Sequence, residues 1–261
     1  MSDATADTEL RLEIERLRAM NDATERKLDA ATLELVHARE KMNAELDQFA
    51  RAASHDLRAP LRGISNLASW IEEDLGSSTP RKVREHLALL KSRTARMDKL
   101  ISGLLELARV GRTRQRRERI DVTELVHETV DLLSPPDASR VLIIGAMPMM
   151  VAERFALERV FLNLIGNAIQ HAGRKDVVVR ISADERAEET EFCIADNGVG
   201  IPVEHHERVW QIFQTLPKLD LGETTGIGLA IVKKQVEANG GRTWIETAVR
   251  EGAAVRFTWP T

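Results

Sequence analysis

The sequence has a single cysteine, few aromatic residues and no long apolar run. Cys193 cannot form an internal disulfide, and such sparse cysteine usage is typical of a reducing compartment. Aromatic residues make up 4% of the chain, with no tyrosine, which argues against an all-β sandwich. No segment approaches the ~20 consecutive apolar residues that span a bilayer, and the acidic N-terminus is unlike a secretory signal. We therefore expect a soluble, cytoplasmic protein without a membrane span.

Charged residues are abundant but nearly balanced. They make up 30% of the 261 residues, and the formal net charge is -4. This balance gives no electrostatic reason to expect nucleic acid as a partner. With 43% hydrophobic residues the chain can bury a substantial core, and its length suits one large or two small domains.

Residues 8–42 are predicted to form one long helix with an apolar seam. Positions at alternating spacings of four and three make up the seam: Leu10, Ile14, Leu17, Asn21, Thr24, Leu28, Ala31, Leu35, Ala38 and Met42. This spacing is typical of a parallel coiled coil, and a polar seam residue such as Asn21 favours a dimer in fixed register. A solvated single helix with incidental spacing is the alternative interpretation.

A helical hairpin is predicted over residues 45–110, after a coiled-coil helix over 1–44. Its apolar pattern breaks at GSSTP (76–80), where Thr79 as N-cap and Pro80 in the first turn would start a second helix. Two apolar-striped helices in an antiparallel hairpin must bury their stripes against something. Dimerisation of two hairpins into a four-helix bundle would do so.

An arginine-rich stretch at 111–120 is interpreted as a linker, because no aromatic residues interleave its charges as in a nucleic-acid site. Residues 121–261 then indicate an α+β domain with a largely antiparallel or mixed sheet and helices on one face. We predict helices at 121–133, capped by Asp121, and at about 153–172 and 228–239. Strands are predicted in VLIIG, DVVVRIS, TEFCIAD, RTWIETA and AAVRFTWP.

Two segments of this domain place polar groups and glycines where a nucleotide could bind. VFLNLIGNAIQHAG puts Asn163 and Asn167 on one helix face, where their amide oxygens suit a hard cation. DNGVGI follows a strand, with Asp196 as a fixed acceptor and Gly198 and Gly200 permitting close backbone approach. Each signal is weak alone, because asparagines on helices usually face solvent and DNG is often a simple turn.

A third segment, TTGIGLAIVKK, opens a helix with Gly226 and Gly228, and a helix N-terminus suits phosphate. It lacks the dinucleotide-binding and P-loop patterns. In this order and spacing the three segments resemble the N, G1 and G2 boxes of the ATP-binding fold shared by histidine kinases, Hsp90, type II topoisomerases and mismatch-repair ATPases (the GHKL or Bergerat fold). The segment RVWQIFQ, containing Phe213, resembles the F box.

Upstream, FARAASHDLRAPLRGI (49–64) resembles the H box of histidine kinases and lies on the first helix of the predicted hairpin. The resemblance covers about residues 45–260. It implies an enzyme that transfers phosphate from ATP to His55 on a dimerising hairpin. An imidazole is mostly neutral at cytoplasmic pH and can attack phosphorus, and Asp56 beside it can accept or stabilise the ring proton. Pro60 is expected to bend the helix beyond the site.

The same resemblance implies ATP and Mg²⁺ as ligands, with Asn167 binding the metal and Asn163 close to metal or phosphate. Asp196 would accept from the adenine amino group, and a mobile lid would run from about Pro202 to Thr225. The other residues implied to contact or shape the nucleotide pocket are His171, Gly198, Gly200, Ile201, Phe213, Thr225, Gly226, Gly228 and Leu229.

Two departures from the family pattern qualify these expectations. Ala59 stands where kinases that also dephosphorylate their partner often have Thr or Asn, so we do not expect strong phosphatase activity. Gln170 and His171 stand where the family often has a lysine and an aromatic residue, which predicts weaker ATP binding with His171 beside the nucleotide.

The resemblance also implies a homodimer and a separate response-regulator protein as phosphoryl acceptor, since no receiver-like domain follows. Input would come from an upstream sensor partner acting on the coiled coil, or from a sensor on another chain or one that has been removed. Two other functions stay open: a non-enzymatic phosphotransfer or scaffold module with a degenerate ATP domain, and an ATPase of the Hsp90 or mismatch-repair type.

Overall fold

The computed structural model describes residues 2–76, 79–111, 116–215, 225–246 and 251–261. The chain divides into two compact units, Met1–Phe49 and Ala50–Thr261. Helix α1 spans Ser2–Leu75 and includes Pro60. Pairing of its N-terminal part into a coiled coil stays a prediction. Within the described parts of the chain, no helix is both long and apolar enough to cross a membrane.

An antiparallel helical hairpin opens the second unit, as predicted. Lys91 of α2 (Arg81–Arg109) binds Glu72 of α1 at 2.5 Å, and Arg58 of α1 donates to Ser102 of α2 at 2.8 Å. Early residues of one helix therefore pair with late residues of the other.

The start of α2 differs from the prediction. The helix begins at Arg81, with Pro80 in the N-cap position and no side-chain cap. The Thr79 hydroxyl donates instead to the Gly76 carbonyl at 2.7 Å. Thr79 as N-cap was therefore wrong, because its side chain closes the preceding turn; residues 77–78 of that turn lie outside the described residues.

The α+β domain is built on a mixed sheet, as predicted. Its elements, in chain order, are β1 (Glu118–Asp121), α3 (Val122–Leu133), β2 (Arg140–Ile144), β3 (Met149–Ala152), α4 (Arg154–His171), β4 (Val178–Glu185), β5 (Glu189–Asp196), α5 (Gly228–Ala238), β6 (Thr243–Ile245) and β7 (Ala254–Pro260). The five-stranded sheet has the order β2-β4-β5-β7-β6, with β2 and β4 parallel and the other neighbours antiparallel.

Strands β1 and β3 form a separate two-stranded antiparallel sheet that the sequence did not predict. The last residues of the predicted linker 111–120 belong to β1, which begins at Glu118, and residues 112–115 lie outside the described residues. Asp121 caps α3 as predicted, and its Oδ1 accepts from the backbone N–H groups of Thr123 at 2.8 Å and Glu124 at 3.3 Å.

The core of the domain lies between the helices and one face of the five-stranded sheet. Phe161 of α4 meets the rings of Phe192 and Phe257 edge-on, at centroid distances of 5.5 and 5.7 Å. Phe192 and Phe257 are cross-strand partners, so the next pair in register, Cys193 and Arg256, points to the opposite face. Cys193 is buried and burial raises its thiol pKa, as expected of a small packing residue rather than a reactive thiol.

Replacing Phe161 by alanine should destabilise the α+β domain by about 3–5 kcal/mol, because it removes a fully buried ring and leaves a cavity. The matched control is Phe155→Ala on the same helix, whose side chain is 62% exposed and whose loss should cost less than about 1 kcal/mol. Urea unfolding of the full chain, followed by tryptophan emission, measures both. Equal losses in the two variants would contradict this assignment of the core.

Candidate functional site

A cavity of about 520 Å³, termed here the larger cavity, is bounded by α4, the end of β5, the start of α5 and the side of α2. Its walls include most of the residues predicted to contact the nucleotide: Asn163, Asn167, His171, Asp196, Gly200, Ile201, Thr225, Gly226, Gly228 and Leu229. The fold thus brings together three segments that are far apart in sequence. Of the predicted set, Gly198 and Phe213 do not line it.

The two asparagines reach the cavity because α4 buries its other face. Phe161 and Leu164 pack into the core, which turns Asn163 and Asn167 outwards on the opposite side. The Asn163 amide nitrogen donates to the Arg159 carbonyl at 2.8 Å. A Cβ added at Gly228 would lie 3.0 Å from Asn163 Oδ1 and 3.4 Å from Asn167 Oδ1. Both amides therefore converge on the N-terminus of α5.

This donor set suits a hard cation that arrives with phosphate. The described residues hold no group of three or more His, Cys, Asp or Glu side chains able to bind a metal by themselves. Mg²⁺ prefers oxygen ligands, keeps several waters and often shares its shell with substrate phosphates. Two amide oxygens beside a helix N-terminus therefore fit Mg²⁺ held jointly with a phosphate chain.

Asp196 ends β5 with one carboxylate oxygen already engaged. Its Oδ1 accepts from the backbone N–H of Gly198 at 2.7 Å and of Ala253 at 3.2 Å, which leaves Oδ2 for a ligand. Burial raises the pKa of this carboxyl, and the two backbone donors oppose that rise. Gly198 allows the backbone after β5 to pack against Ala172, since a Cβ at Gly198 would lie only 2.4 Å from the Ala172 Cα.

Phe213 is connected to the site through its backbone alone. Its N–H donates to the Gly226 carbonyl at 2.8 Å, while its ring is 57% exposed. The Phe213 backbone has a left-handed conformation, with φ at 64°. Its side chain lies outside the larger cavity, whereas Gln214 and Thr215 line it, and the contact of Phe213 with the nucleotide stays a prediction.

The described part of the predicted lid, Pro202–Thr225, contains short turns. Short 3-10 turns form at Val203–His205 and Arg208–Trp210, and Val209 is buried. Residues 216–224, which contain most of the unpatterned stretch, lie outside the described residues. Mobility of that part stays a prediction.

Sequence reasoning missed the contribution of α2. Asp98, Lys99, Ser102, Gly103 and Glu106 all line the larger cavity. The available signal was a polar stripe at four-residue spacing, 98, 102 and 106, on a helix otherwise striped with apolar residues. What α2 would face was not visible in the sequence.

Apolar packing holds α2 in this position. Leu107 and Val110 form a small buried cluster with Ile227, Ala230 and Ile231 at the start of α5. Helix α2 can approach Ile227 closely because it has a glycine at position 103. A Cβ at Gly103 would lie 3.1 Å from the Ile227 Cδ1. The hairpin therefore forms one wall of the larger cavity.

His55 lies on the exposed surface of α1, at the edge of a second cavity of about 480 Å³, termed here the His55 cavity. Its Nδ1 is 3.3 Å from Asp56 Oδ1. The other residues lining this cavity are Arg58, Ser102, Leu105, Glu106, Arg109 and Arg159. Ser102 and Glu106 line both cavities, so the structure brings His55 close to the larger cavity of the same chain.

Two family models match the chain. The model described as histidine kinase-, DNA gyrase B- and HSP90-like ATPase matches residues 152–261. The model described as His Kinase A (phospho-acceptor) domain matches residues 45–113. The first contains the larger cavity's α4, β5 and α5, and the second contains His55 and α2.

Curated relatives agree with these models. Cyanobacterial phytochrome B of Nostoc sp. is 37% identical over 84% of this chain and 30% of the relative. Methanogenesis regulatory histidine kinase FilI of Methanothrix harundinacea is 34% identical over 85% of this chain and 25% of the relative. Sensor histidine kinase ZraS of Klebsiella oxytoca is 31% identical over 85% of this chain and 48% of the relative. The chain spans less than half the length of these relatives.

Solved structures share the fold. Full-length ShkA in complex with AMPPNP superposes with a TM-score of 0.61 at 23% identity, over 82% of this chain and 45% of that one. Histidine kinase ThkA in complex with response regulator protein TrrA gives 0.54 at 20% identity, over 82% of this chain and 60% of that one.

Proposed function

The chain belongs to the histidine kinases of two-component systems, and on that premise we propose that it transfers the γ-phosphoryl group of ATP to His55. The phosphoryl group then passes to an aspartate on a separate response regulator. The observation that carries this proposal is the pair of adjoining cavities, one lined by the nucleotide-binding segments and the other by His55, with Ser102 and Glu106 in common.

The larger cavity offers complementary groups for the adenine base, for the phosphate chain and for the metal ion that accompanies it. Asp196 Oδ2 can accept from the adenine amino group, because Oδ1 is already occupied by backbone donors. The unpaired N–H groups at the start of α5, near Gly228, suit the phosphate chain. When bound, Mg²⁺ supplies charge neutralisation for phosphoryl transfer, and Asn167 and Asn163 are the residues that would hold it.

His55 and Asp56 supply the chemistry of the acceptor. His55 Nδ1 lies 3.3 Å from Asp56 Oδ1, and its N–H donates to that carboxylate. Nε2 then carries the lone pair that attacks the γ-phosphorus. The bond from phosphorus to the oxygen bridging to the β-phosphate breaks as the N–P bond forms, and ADP leaves with the electron pair. Phosphorylation makes the ring cationic until the Nδ1 proton passes to Asp56 or to water.

The hairpin also has the surface expected of a dimerisation module. Exposed apolar side chains recur at seven-residue intervals on both helices: Leu57, Ile64 and Ile71 on α1, and Leu90, Met97 and Leu104 on α2. Such spacing suits a left-handed bundle with a second hairpin. We therefore infer a homodimer.

Ala59, one helical turn after His55, has no side-chain group that could orient a water molecule for dephosphorylation. We therefore do not expect strong phosphatase activity.

Labelling with γ-labelled ATP and Mg²⁺ tests the proposed activity. We expect an acid-labile, base-stable label on the full chain and none on His55→Gln, which lacks the nucleophile. Asn167→Ala should lose the label as well, because the metal and phosphates lose a ligand. Phosphate release that survives His55→Gln would favour a simple ATPase, and an unlabelled chain with weak nucleotide binding would favour a non-enzymatic scaffold.

Base recognition gives an independent test through Asp196→Asn. Asparagine can keep Oδ1 as the acceptor for Gly198 and Ala253, but it places an N–H₂ donor where Oδ2 accepts from adenine. The preference for ATP over inosine triphosphate, which carries a carbonyl in place of the amino group, should fall at least about tenfold. Equilibrium binding of the two nucleotides measures this ratio, with the exposed Asp184→Asn as control. An unchanged ratio would place the base elsewhere.

A further inference from the structure

Two helix faces connect the larger cavity with the His55 cavity. On α4, Asn167 and Asn163 line the larger cavity, and Arg159, one turn earlier, lines the His55 cavity. Residues four apart lie on the same side of a helix, so the three form one continuous face. On α2, Ser102 and Glu106 line both cavities. The two cavities therefore adjoin within a single chain, and the space between these faces is termed here the passage.

The His55 cavity is rich in guanidinium groups, from Arg58, Arg109 and Arg159. Arg58 is fixed to α2, since its Nη2 donates to Ser102 at 2.8 Å and its Nε lies 3.2 Å from Asp98 Oδ1. Against these three guanidinium groups the lining has one carboxyl group, that of Glu106, and an excess of positive charge beside a phosphoryl acceptor suits an incoming phosphoryl group.

Arg159 is held more loosely than Arg58, and it is the arginine that comes from the ATP-binding domain. Its Nε lies 3.4 Å from Glu106 Oε1, and its side chain is 55% exposed. That buried carboxylate oxygen has no hydrogen-bond partner among the described residues. A guanidinium held in place by charge alone can turn its planar N–H groups towards a phosphoryl group at little cost.

We propose that the γ-phosphoryl group reaches His55 of the same chain through this passage and that Arg159 binds it in transit, an inference that rests on the proposed function. The phosphoryl group leaves the nucleotide near Asn163 and meets the imidazole in the His55 cavity. Arg159 lies between the two and neutralises charge on the equatorial oxygens during transfer. Glu106 is a positioning residue that keeps the guanidinium at the passage.

The rate of the first turnover tests the role of Arg159. For Arg159→Gln in the full chain, the rate of His55 labelling at saturating ATP should fall about 10- to 100-fold, as for loss of a group that stabilises transferring charge. Nucleotide affinity should change less than about threefold, because the passage lies beyond the base and the Asn pair. Arg159→Lys keeps the charge without the planar fork and should be intermediate. Transfer back from phosphorylated His55 to ADP should slow by the same factor as the forward reaction.

Two controls separate this role from a structural one. Arg154→Gln removes a guanidinium from the same helix that is paired with Glu128 and lines neither cavity, and it should leave the labelling rate unchanged. Glu106→Gln should slow labelling several-fold with unchanged nucleotide affinity. If Glu106 and Arg159 were only a latch between hairpin and ATP-binding domain, both variants would label faster, and that result would overturn the proposal. A normal labelling rate for Arg159→Gln would also overturn it. If the wild-type chain itself is not labelled on His55, that result rejects the proposed function instead.

Mixed dimers test the same-chain route. In a dimer of one His55→Gln chain and one Asn167→Ala chain, the working nucleotide site and the working acceptor lie on different chains. We expect no label above that of the two variant homodimers. Label on the Asn167→Ala chain would show transfer between chains and contradict the passage.

Discussion

Ile227, buried at the start of α5, packs against Leu107 and Val110 in the last turns of α2, and the positions of the other functional groups depend on this contact. Lys234 of α5 reinforces it by donating to the Leu107 carbonyl at 2.7 Å. The contact makes α2 a wall of the larger cavity. Because the acceptor helix pairs with α2 through Arg58, the same packing sets where His55 lies.

The site itself depends on placing polar groups at the ends of regular elements. Asp196 stands where β5 ends, and Gly228 stands where α5 begins, so in the proposed function the unpaired N–H groups at the start of α5 are available to the phosphate chain. In the proposed function the asparagines of α4 would contribute neutral oxygens, which repel the negative phosphates less than carboxylates would. Phosphoryl transfer needs positioning and charge neutralisation more than covalent help from the protein, and the proposed function assigns both to these groups.

The local parts of this architecture could be predicted from the sequence, because their signals are local too. The amide pair on α4, the strand ending at Asp196 and the glycines before α5 each depend on neighbours within a few residues. Strands β1 and β3 were not predicted because each has only four residues and β1 begins inside an arginine-rich stretch. The left-handed backbone conformation of Phe213 could not be predicted, because it leaves no trace in the residue pattern.

Long-range packing is what the sequence could not supply. Ser102 and Glu106 belong to a polar stripe that has the ordinary look of a solvated helix face, and their role follows only from the docking of α5 more than a hundred residues later. Arg159 likewise has the pattern of an ordinary exposed helix residue, and only the structure shows that it lines the His55 cavity.

The docking of α2 on α5 can be tested with a disulfide between cysteines introduced at Gly103 and Ile227. A Cβ at Gly103 would lie 3.4 Å from the Ile227 Cβ, close to the ~3.5–4.5 Å of natural disulfides. Cys193 is buried and should not compete. The disulfide should form readily, and the oxidised chain should still label His55 in its first turnover with ATP. A chain that resists cross-linking, or that binds nucleotide when oxidised but labels His55 only after reduction, would contradict this role of the contact between α2 and α5.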